Sequence, residues 1–102
     1  MPHKINILHE EEINELPKQY ILEGYKLLKP IPIVLAKNNK EFIAKDRDIG
    51  LLVGGSGKTA EEAKNDLCDV IIGQVISFKT EQQCLISYAK KVQDNLEKYI
   101  SR

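Results

Sequence analysis

The fold is decided by the stretch IPIVLAKNNKEFIAKDRDIGLLVGGSGKTAEEA, which occupies residues 31–63 of a 102-residue chain. Residues 31–36 are an apolar run rich in β-branched side chains, and residues 41–45 form a second short run after a polar Lys-Asn-Asn-Lys segment. Such runs, separated by turn residues, are typical of antiparallel strands. Because Asn tolerates the positive φ of tight turns, we expect a hairpin between the two runs.

A third apolar run, residues 49–53, precedes glycines at positions 54, 55 and 57. We interpret it as a third antiparallel strand. The polar segment before it, Asp46-Arg47-Asp48, is interpreted as a turn. A carboxylate pair for metal binding or acid–base chemistry is the less favoured alternative for Asp46 and Asp48.

The segment Thr59-Ala60-Glu61-Glu62 predicts the start of a helix, because it has the pattern of a capping box. The hydroxyl of Thr59 can accept a hydrogen bond from the N–H of Glu62, and the side chain of Glu62 can reach back to the N–H of Thr59. Apolar residues then recur at helical spacing, and Gly73 predicts an end near Ile72.

Two further segments complete the predicted fold. A box-like start at Thr80 introduces an amphipathic helix over residues 79–102. Residues 10–16, near the other end, predict a short helix that Pro17 ends. We therefore expect one α+β domain with a three-stranded antiparallel sheet followed by two helices. Its parts are an N-terminal extension (residues 1–30), a core (residues 31–78) and the C-terminal helix.

Composition narrows the class of protein. Fifteen basic residues balance fifteen acidic ones, and 42% of the residues are hydrophobic, so the chain is not disordered by composition. No apolar run approaches the ~20 residues of a membrane span, and no membrane association is expected. The apolar stretch near the N-terminus is too short for a signal peptide, which predicts an intracellular, cytoplasmic protein.

The motif Gly54-Gly55-Ser56-Gly57-Lys58-Thr59 matches the end of the phosphate-binding pattern G-x-x-x-x-G-K-[ST]. Counting back from Gly57, however, the first glycine of that pattern should stand at position 52, which is leucine. We favour a glycine-rich turn into a capped helix over a nucleotide site. No cofactor is predicted.

The few other chemistry-bearing residues do not predict catalysis. His3 and His9, with the acidic run at residues 10–12, match no compact metal site, so no metal is expected. Cys68 and Cys84 fall near apolar helix stripes, which favours core packing over a reactive thiol. No nucleophile–histidine arrangement is evident, and we expect a protein that is not an enzyme.

Lys37, Lys40, Lys45 and Lys58 are the candidate contacts to a partner protein or to nucleic acid. Residues 31–59 carry five basic and three acidic residues, which is only mildly basic. The β-β-β-α order, with its glycine-rich helix entry, is similar in outline to double-stranded-RNA-binding domains, which read duplex shape and phosphates. Glu61 and Glu62 stand where such a domain needs cations, so RNA binding is the alternative function.

Read together, residues 31–72 resemble the HicB-like antitoxin domain. The resemblance lies in an aromatic-plus-aliphatic second strand, Phe42-Ile43-Ala44, then the segment Asp46-Arg47-Asp48-Ile49-Gly50-Leu51, and finally Gly57-Lys58-Thr59-Ala60-Glu61-Glu62-Ala63. Arg47 departs from the pattern, since a proline is common there. The resemblance covers about 40% of the chain, and its pieces agree in order and spacing.

The resemblance implies a partial ribonuclease-H-like fold without catalysis that binds and masks a small RNA-cleaving toxin. Many members of the family add a C-terminal DNA-binding element. Residues 80–102 offer a single helix and no helix-turn-helix, so DNA binding is not expected here. Apolar residues on both faces of the first strand, together with the amphipathic C-terminal helix, predict a homo-oligomer.

Overall fold

The computed structural model describes residues 6–80 and 87–101 of the chain. Its elements, in chain order, are β1 (Asn6–Ile13), α1 (Lys18–Leu22), β2 (Lys26–Leu27), β3 (Ile31–Lys37), β4 (Phe42–Asp46), β5 (Gly55–Gly57), α2 (Ala60–Thr80), α3 (Ser87–Tyr99) and β6 (Ile100–Ser101). The predicted α+β class is confirmed, as is the order of three consecutive antiparallel strands followed by two helices.

The main sheet has four antiparallel strands in the order β1-β3-β4-β5. The N-terminal extension therefore adds β1 as an edge strand beside β3. A separate two-stranded sheet pairs β2 with β6 and joins Leu27 to Ile100. Both ends of the described chain are thus tied into the fold by strand pairing.

The predicted short helix over residues 10–16 is wrong, because most of that segment belongs to β1. This strand pairs with β3 from Asn6 opposite Lys37 to Ile13 opposite Ile31, with an irregularity between Ile7 and His9. Three consecutive glutamates have a higher intrinsic preference for helix than for strand. Pairing with β3 satisfies the backbone and buries Ile13, and it outweighs that local preference.

The turn between β3 and β4 is closed by the side chain of Asn38. Its Oδ1 atom accepts the N–H groups of Lys40 at 2.8 Å and Glu41 at 2.9 Å. Among the described residues only glycines have a positive φ, so the expected left-handed asparagine is wrong. The amide side chain replaces a backbone turn by hydrogen-bonding to residues two and three positions further on.

The third strand lies further along the chain than predicted. Residues 49–53 form a loop, and β5 is made of Gly55, Ser56 and Gly57, paired with β4. Glycine is a poor strand former in isolation. These glycines nevertheless pair with β4, and they leave room for α2 to pack directly on their backbone.

Helix α2 continues through Gly73 to Thr80, so the predicted end near Ile72 is wrong. Gly73 is exposed, whereas Ile71 and Ile72 are almost fully buried. Burial of two large side chains outweighs the roughly 1 kcal/mol that a mid-helix glycine costs. Thr80 is the last residue of α2.

The predicted C-terminal helix over residues 79–102 is wrong at both of its ends. Residues 79 and 80 belong to α2, and the helix α3 gives way to strand β6 at Ile100. Residues 81–86 and 102, which the prediction also covered, lie outside the described residues. The amphipathic stripe of α3 is nevertheless present, because Val92 and Leu96 are buried while Lys90 and Lys91 are exposed.

Helix α2 packs on one face of the main sheet, and the core lies between them. Leu67 of α2 and Ile33 of β3 are both completely buried there. Two polar contacts join α2 to the N-terminal extension: Lys64 Nζ lies 2.6 Å from Glu11 Oε1, and the hydroxyl of Tyr20 donates to Asp69 Oδ1 at 2.5 Å. These contacts fix the helix over the sheet.

Candidate functional site

The segment after β4 is organised by the buried carboxylate of Asp46, which is only 9% exposed. Its Oδ2 atom accepts three backbone N–H groups, from Ile49 at 3.1 Å, Gly50 at 2.8 Å and Leu51 at 3.4 Å. Gly50 has a φ of +93°, a conformation that side-chain-bearing residues rarely adopt. The predicted polar turn is therefore present, with Asp46 as its anchor.

Asp46 and Asp48 have different hydrogen-bond partners, so they do not act together as a carboxylate pair. Asp48 is exposed, and its Oδ2 atom accepts the hydroxyl of Tyr99 at 3.4 Å. Asn95 of the same helix donates to the Ile49 carbonyl at 3.1 Å. The turn is thus held from inside by Asp46 and from outside by α3.

The anchored turn leads into an apolar loop, residues 49–54, that changes abruptly from buried to exposed. Leu51 is 7% exposed, but Leu52 is 79% exposed and Val53 is 62% exposed. Large apolar side chains this exposed, next to one another, are characteristic of interaction surfaces. Because the backbone N–H groups just before them bind Asp46, Leu52 and Val53 project from a loop whose start is held in one conformation.

An open apolar groove of about 510 Å³ lies between this loop, α2 and α3. The lining residues in the described part of the chain are Leu51, Leu52, Val53, Val70, Gly73, Gln74, Ala89 and Val92, and none of these eight carries an ionisable side chain. Such a surface suits apolar side chains of another molecule. The groove was not predicted from the sequence, because Leu52 and Val53 were assigned to the third strand and the other lining residues come from α2 and α3.

The four predicted contact lysines do not form one cluster. Strand register aligns Lys37 with Phe42, and Phe42 with Gly57. Lys37, Lys40 and Lys58 therefore belong to one end of the main sheet, which we call the basic end. Lys45 lies further along β4, where its Nζ atom donates to the Leu52 carbonyl at 3.2 Å.

The basic end carries both an attractive and a repulsive feature for a polyanion. Lys37 Nζ lies 5.0 Å from the centroid of the Phe42 ring, a cation–π contact that leaves the ammonium at the surface. Lys58, however, is followed by Glu61 and Glu62, which are exposed in the first turn of α2. The net charge near Lys58 is consequently unfavourable for phosphate.

Glu62 and Thr59 form only part of the predicted capping box. The hydroxyl oxygen of Thr59 accepts the N–H of Glu62 at 3.1 Å, as expected. Glu62 Oε1 accepts the N–H of Lys58 at 3.4 Å, so the expected return bond to Thr59 is wrong. The carboxylate caps the residue before the helix instead, which still satisfies an otherwise free donor.

The glycines of the phosphate-loop-like motif serve packing between a strand and a helix. A Cβ atom on Gly55 would collide with the backbone N of Leu67 and the carbonyl oxygen of Ala63, and one on Gly57 would collide with Glu62. The N–H of Ser56, between them, donates to Asp66 Oδ2 at 2.9 Å. The predicted glycine-rich turn is therefore an edge strand pressed against α2, and its backbone does not form a phosphate cradle.

The remaining candidate residues are the cysteines and histidines. Cys68 is buried, as predicted, and burial raises the pKa of its thiol to about 11, with a smaller contribution from the neighbouring Asp69. The thiol is therefore protonated at neutral pH and is a poor nucleophile. His9 lies in β1, whereas His3 and Cys84 lie outside the described residues. Within residues 6–80 and 87–101, no three His, Cys, Asp or Glu residues are grouped for a metal ion.

Comparison of the chain with protein-family models, curated proteins and solved structures gives no match. Among the helices of the described residues, none has both the length and the hydropathy of a membrane span. The features that bear on function are therefore the pattern of residues 31–72, the apolar groove and the basic end.

Proposed function

We propose that the chain is a non-catalytic binding protein of HicB-antitoxin type, which acts by protein–protein interaction with a small toxin. One observation carries the proposal. The residues that resemble the HicB-like pattern occupy four consecutive elements, β3, β4, β5 and α2, in the order that the resemblance implies.

The residues of the final motif each have a physical role in the strand-to-helix junction. Gly57 admits α2 next to β5, Thr59 caps the helix, and Ala63 is completely buried at the contact. These roles explain why the pattern needs a glycine, a hydroxyl and a small residue at this spacing. They support a shared fold, while the toxin partner is proposed from the resemblance.

The apolar groove is the contact surface that we propose for the partner. Leu52 and Val53 project at its rim, and the eight lining residues that the structure describes are uncharged. Binding energy in protein interfaces is concentrated in a few side chains that lose contact with water in well-packed pockets. An apolar side chain or helix face of the partner would lose contact with water in this groove.

Co-expression of the chain with the small gene next to it tests the proposal. We expect that gene to be toxic alone, to lose its toxicity when both are expressed, and to co-purify with this chain. If the neighbouring product is not toxic and does not bind, the antitoxin role is wrong.

The surface is tested separately with Leu52→Asp and Val53→Asp. Both side chains are exposed, so neither change should unfold the protein, and each should weaken the complex at least tenfold. The matched control is Leu22→Asp, because Leu22 on α1 is 78% exposed and lies outside the groove. Equal binding by all three variants would exclude the groove while leaving the antitoxin role open.

RNA binding is the second candidate function, favoured by the three lysines of the basic end. Electrostatic binding would weaken steeply with salt, because cations are released from the phosphates. We expect Lys40→Glu and Lys58→Glu to lower affinity for duplex RNA at low salt, with Lys90→Glu on the exposed face of α3 as control. Absence of retention of the unmodified protein on duplex RNA at low salt excludes this function.

A further inference from the structure

The main sheet has a second face, opposite α2, that is apolar along its centre. Side chains alternate along β3, so Ile33 and Leu35 are fully buried under α2 while Val34 is only partly buried. Val34 pairs with Lys45, and Ala36 pairs with Ile43. We call this surface the outer face. It has an open, predominantly apolar depression of about 330 Å³, lined by Val34, Ala36, Ile43, Lys45 and Asp46.

Charges of opposite sign border the two sides of the outer face. One row across the sheet runs from Glu10 through Val34 to Lys45. The next row runs from Glu12 through Pro32, whose carbonyl accepts the N–H of Arg47 at 3.1 Å. Each row therefore reads acid, apolar, base, with the acids on β1 and the bases on or just after β4.

This arrangement is complementary to itself. A two-fold axis parallel to β3 exchanges the left and right sides of the sheet but keeps each row at the same height. In a face-to-face pair, Glu10 of one copy then lies opposite Lys45 of the other, and Glu12 lies opposite Arg47. The apolar centres, with Val34 and Pro32, meet in the middle, at the roughly 10 Å spacing of packed sheets.

We propose that the outer face is a self-association surface and that its occupant is a second copy of this chain. Within one copy, Glu10 and Arg47 form an ion pair of 3.0 Å that crosses β3, and this pair must open for the pairs between copies to form. Their side chains are 63% and 53% exposed, so the exchange of partners takes place in contact with solvent. Lys45 donates one N–H to Leu52 and has two further donors.

The size of the outer face predicts a weak dimer. The four strands have eight, seven, five and three residues. At about 3.3 Å per residue and about 4.8 Å between strands, the face measures roughly 20 Å by 25 Å, which is below the about 800 Å² that a standard stable interface takes from each partner. The dissociation constant should therefore lie in the micromolar range or above. Because the border charges are solvent-exposed, association should also weaken as salt is added. This inference does not depend on the antitoxin proposal, since the apolar groove lies elsewhere.

Sedimentation velocity from micromolar to near-millimolar protein, at low and high salt, tests the inference. We expect the unmodified chain to shift from monomer to dimer with concentration. Lys45→Glu should weaken the dimer at least tenfold, because two opposite-charge pairs become like-charge pairs. Exchanging the charges in the double variant Glu10→Lys/Lys45→Glu should recover association. Lys40→Glu makes the same charge change off the face and should have no effect.

The apolar centre is tested with Val34→Lys, which should abolish the dimer, and with Val34→Thr, which keeps the β-branched shape and should only weaken it. Circular dichroism of each variant distinguishes loss of association from unfolding. A chain that stays monomeric at every concentration overturns the inference. A dimer that survives Val34→Lys but dissociates with Leu52→Lys also overturns it, because the second copy would then occupy the apolar groove.

Discussion

Two neighbouring segments, β5 and the apolar loop before it, approach α2 in opposite ways. β5 presents almost no side chain, and its backbone at Gly55 lies against the backbone of α2 at Ala63 and Leu67. The apolar loop presents large side chains, yet Leu52 and Val53 remain mostly exposed. Apolar content therefore does not decide which segment becomes the strand. The segment that pairs with β4 is β5, whose glycines let α2 lie against its backbone.

The largest expected effect is on the tight contact. Gly55→Ala should lower the free energy of unfolding by at least about 3 kcal/mol, because its Cβ has no space between strand and helix. Urea denaturation followed by circular dichroism measures the loss. The matched control is Gly73→Ala, at an exposed helical glycine with nothing within 4 Å of the added Cβ. This control should gain about 0.5–1 kcal/mol. Equal stability of Gly55→Ala and the unmodified chain would mean that the backbones of β5 and α2 are not in close contact.

Cys68 lies on the buried face of α2 and is only 2% exposed. Burial of its thiol predicts that the free energy of unfolding depends on pH. Its thiol pKa rises from 9.0 to about 11 on folding, so the folded state binds more protons between these pH values. The free energy of unfolding should therefore fall as pH rises from about 9 to about 11, by about 2–3 kcal/mol in total.

Comparison with Cys68→Ala isolates this contribution, since Tyr20 and Tyr99, whose pKa values are also raised, are present in both proteins. Urea denaturation at several pH values should give a shallower alkaline loss in the variant, even though the variant is less stable at neutral pH. Parallel profiles would mean that the Cys68 thiol is not protected from water.

The conformation of the apolar loop depends on Asp46. Asp46→Ala should cost about 2 kcal/mol, because three backbone N–H groups lose their acceptor. Asp46→Asn keeps one oxygen and should cost less. Amide exchange at Gly50 should accelerate in both variants, and the control Asp94→Ala, at an exposed aspartate of α3, should leave it unchanged. Unaltered exchange at Gly50 in Asp46→Ala would show that the turn is held by other contacts.

The smallest expected effect is at the rim of the groove. Leu52→Ser should change the free energy of unfolding by less than about 0.5 kcal/mol, since the side chain is 79% exposed. Leu51→Ala, one residue earlier, should cost about 2 kcal/mol because Leu51 is buried. Similar costs for the two changes would mean that the apolar loop is packed as a unit and does not present a free surface.

Local patterns predicted those parts of the fold that local chemistry controls. The runs that became β3 and β4, and the start of α2 at Thr59, follow from β-branched residues and a capping hydroxyl. The N-terminal strand could not be predicted in this way, because its glutamates prefer helix and only pairing with β3 makes it a strand.

The candidate surfaces were predictable only in part. Exposed lysines can be identified from a sequence, but register alone separates Lys45 from the three lysines of the basic end. The apolar groove involves residues from the apolar loop, α2 and α3, so no single segment contained its pattern. Asp46 was predicted as a turn residue, yet its burial became visible only once three amides converged on it.

The sequence by itself determined that the chain forms an α+β domain, that a hairpin precedes a capped helix, and that Cys68 is a core residue. Only the tertiary structure decided that Gly55–Gly57 is a strand and that residues 49–53 are a loop. The physical reason is the separation over which each cause acts. Capping and alternation act within a few residues, whereas the clearance between β5 and α2 depends on backbones that meet only in the folded molecule.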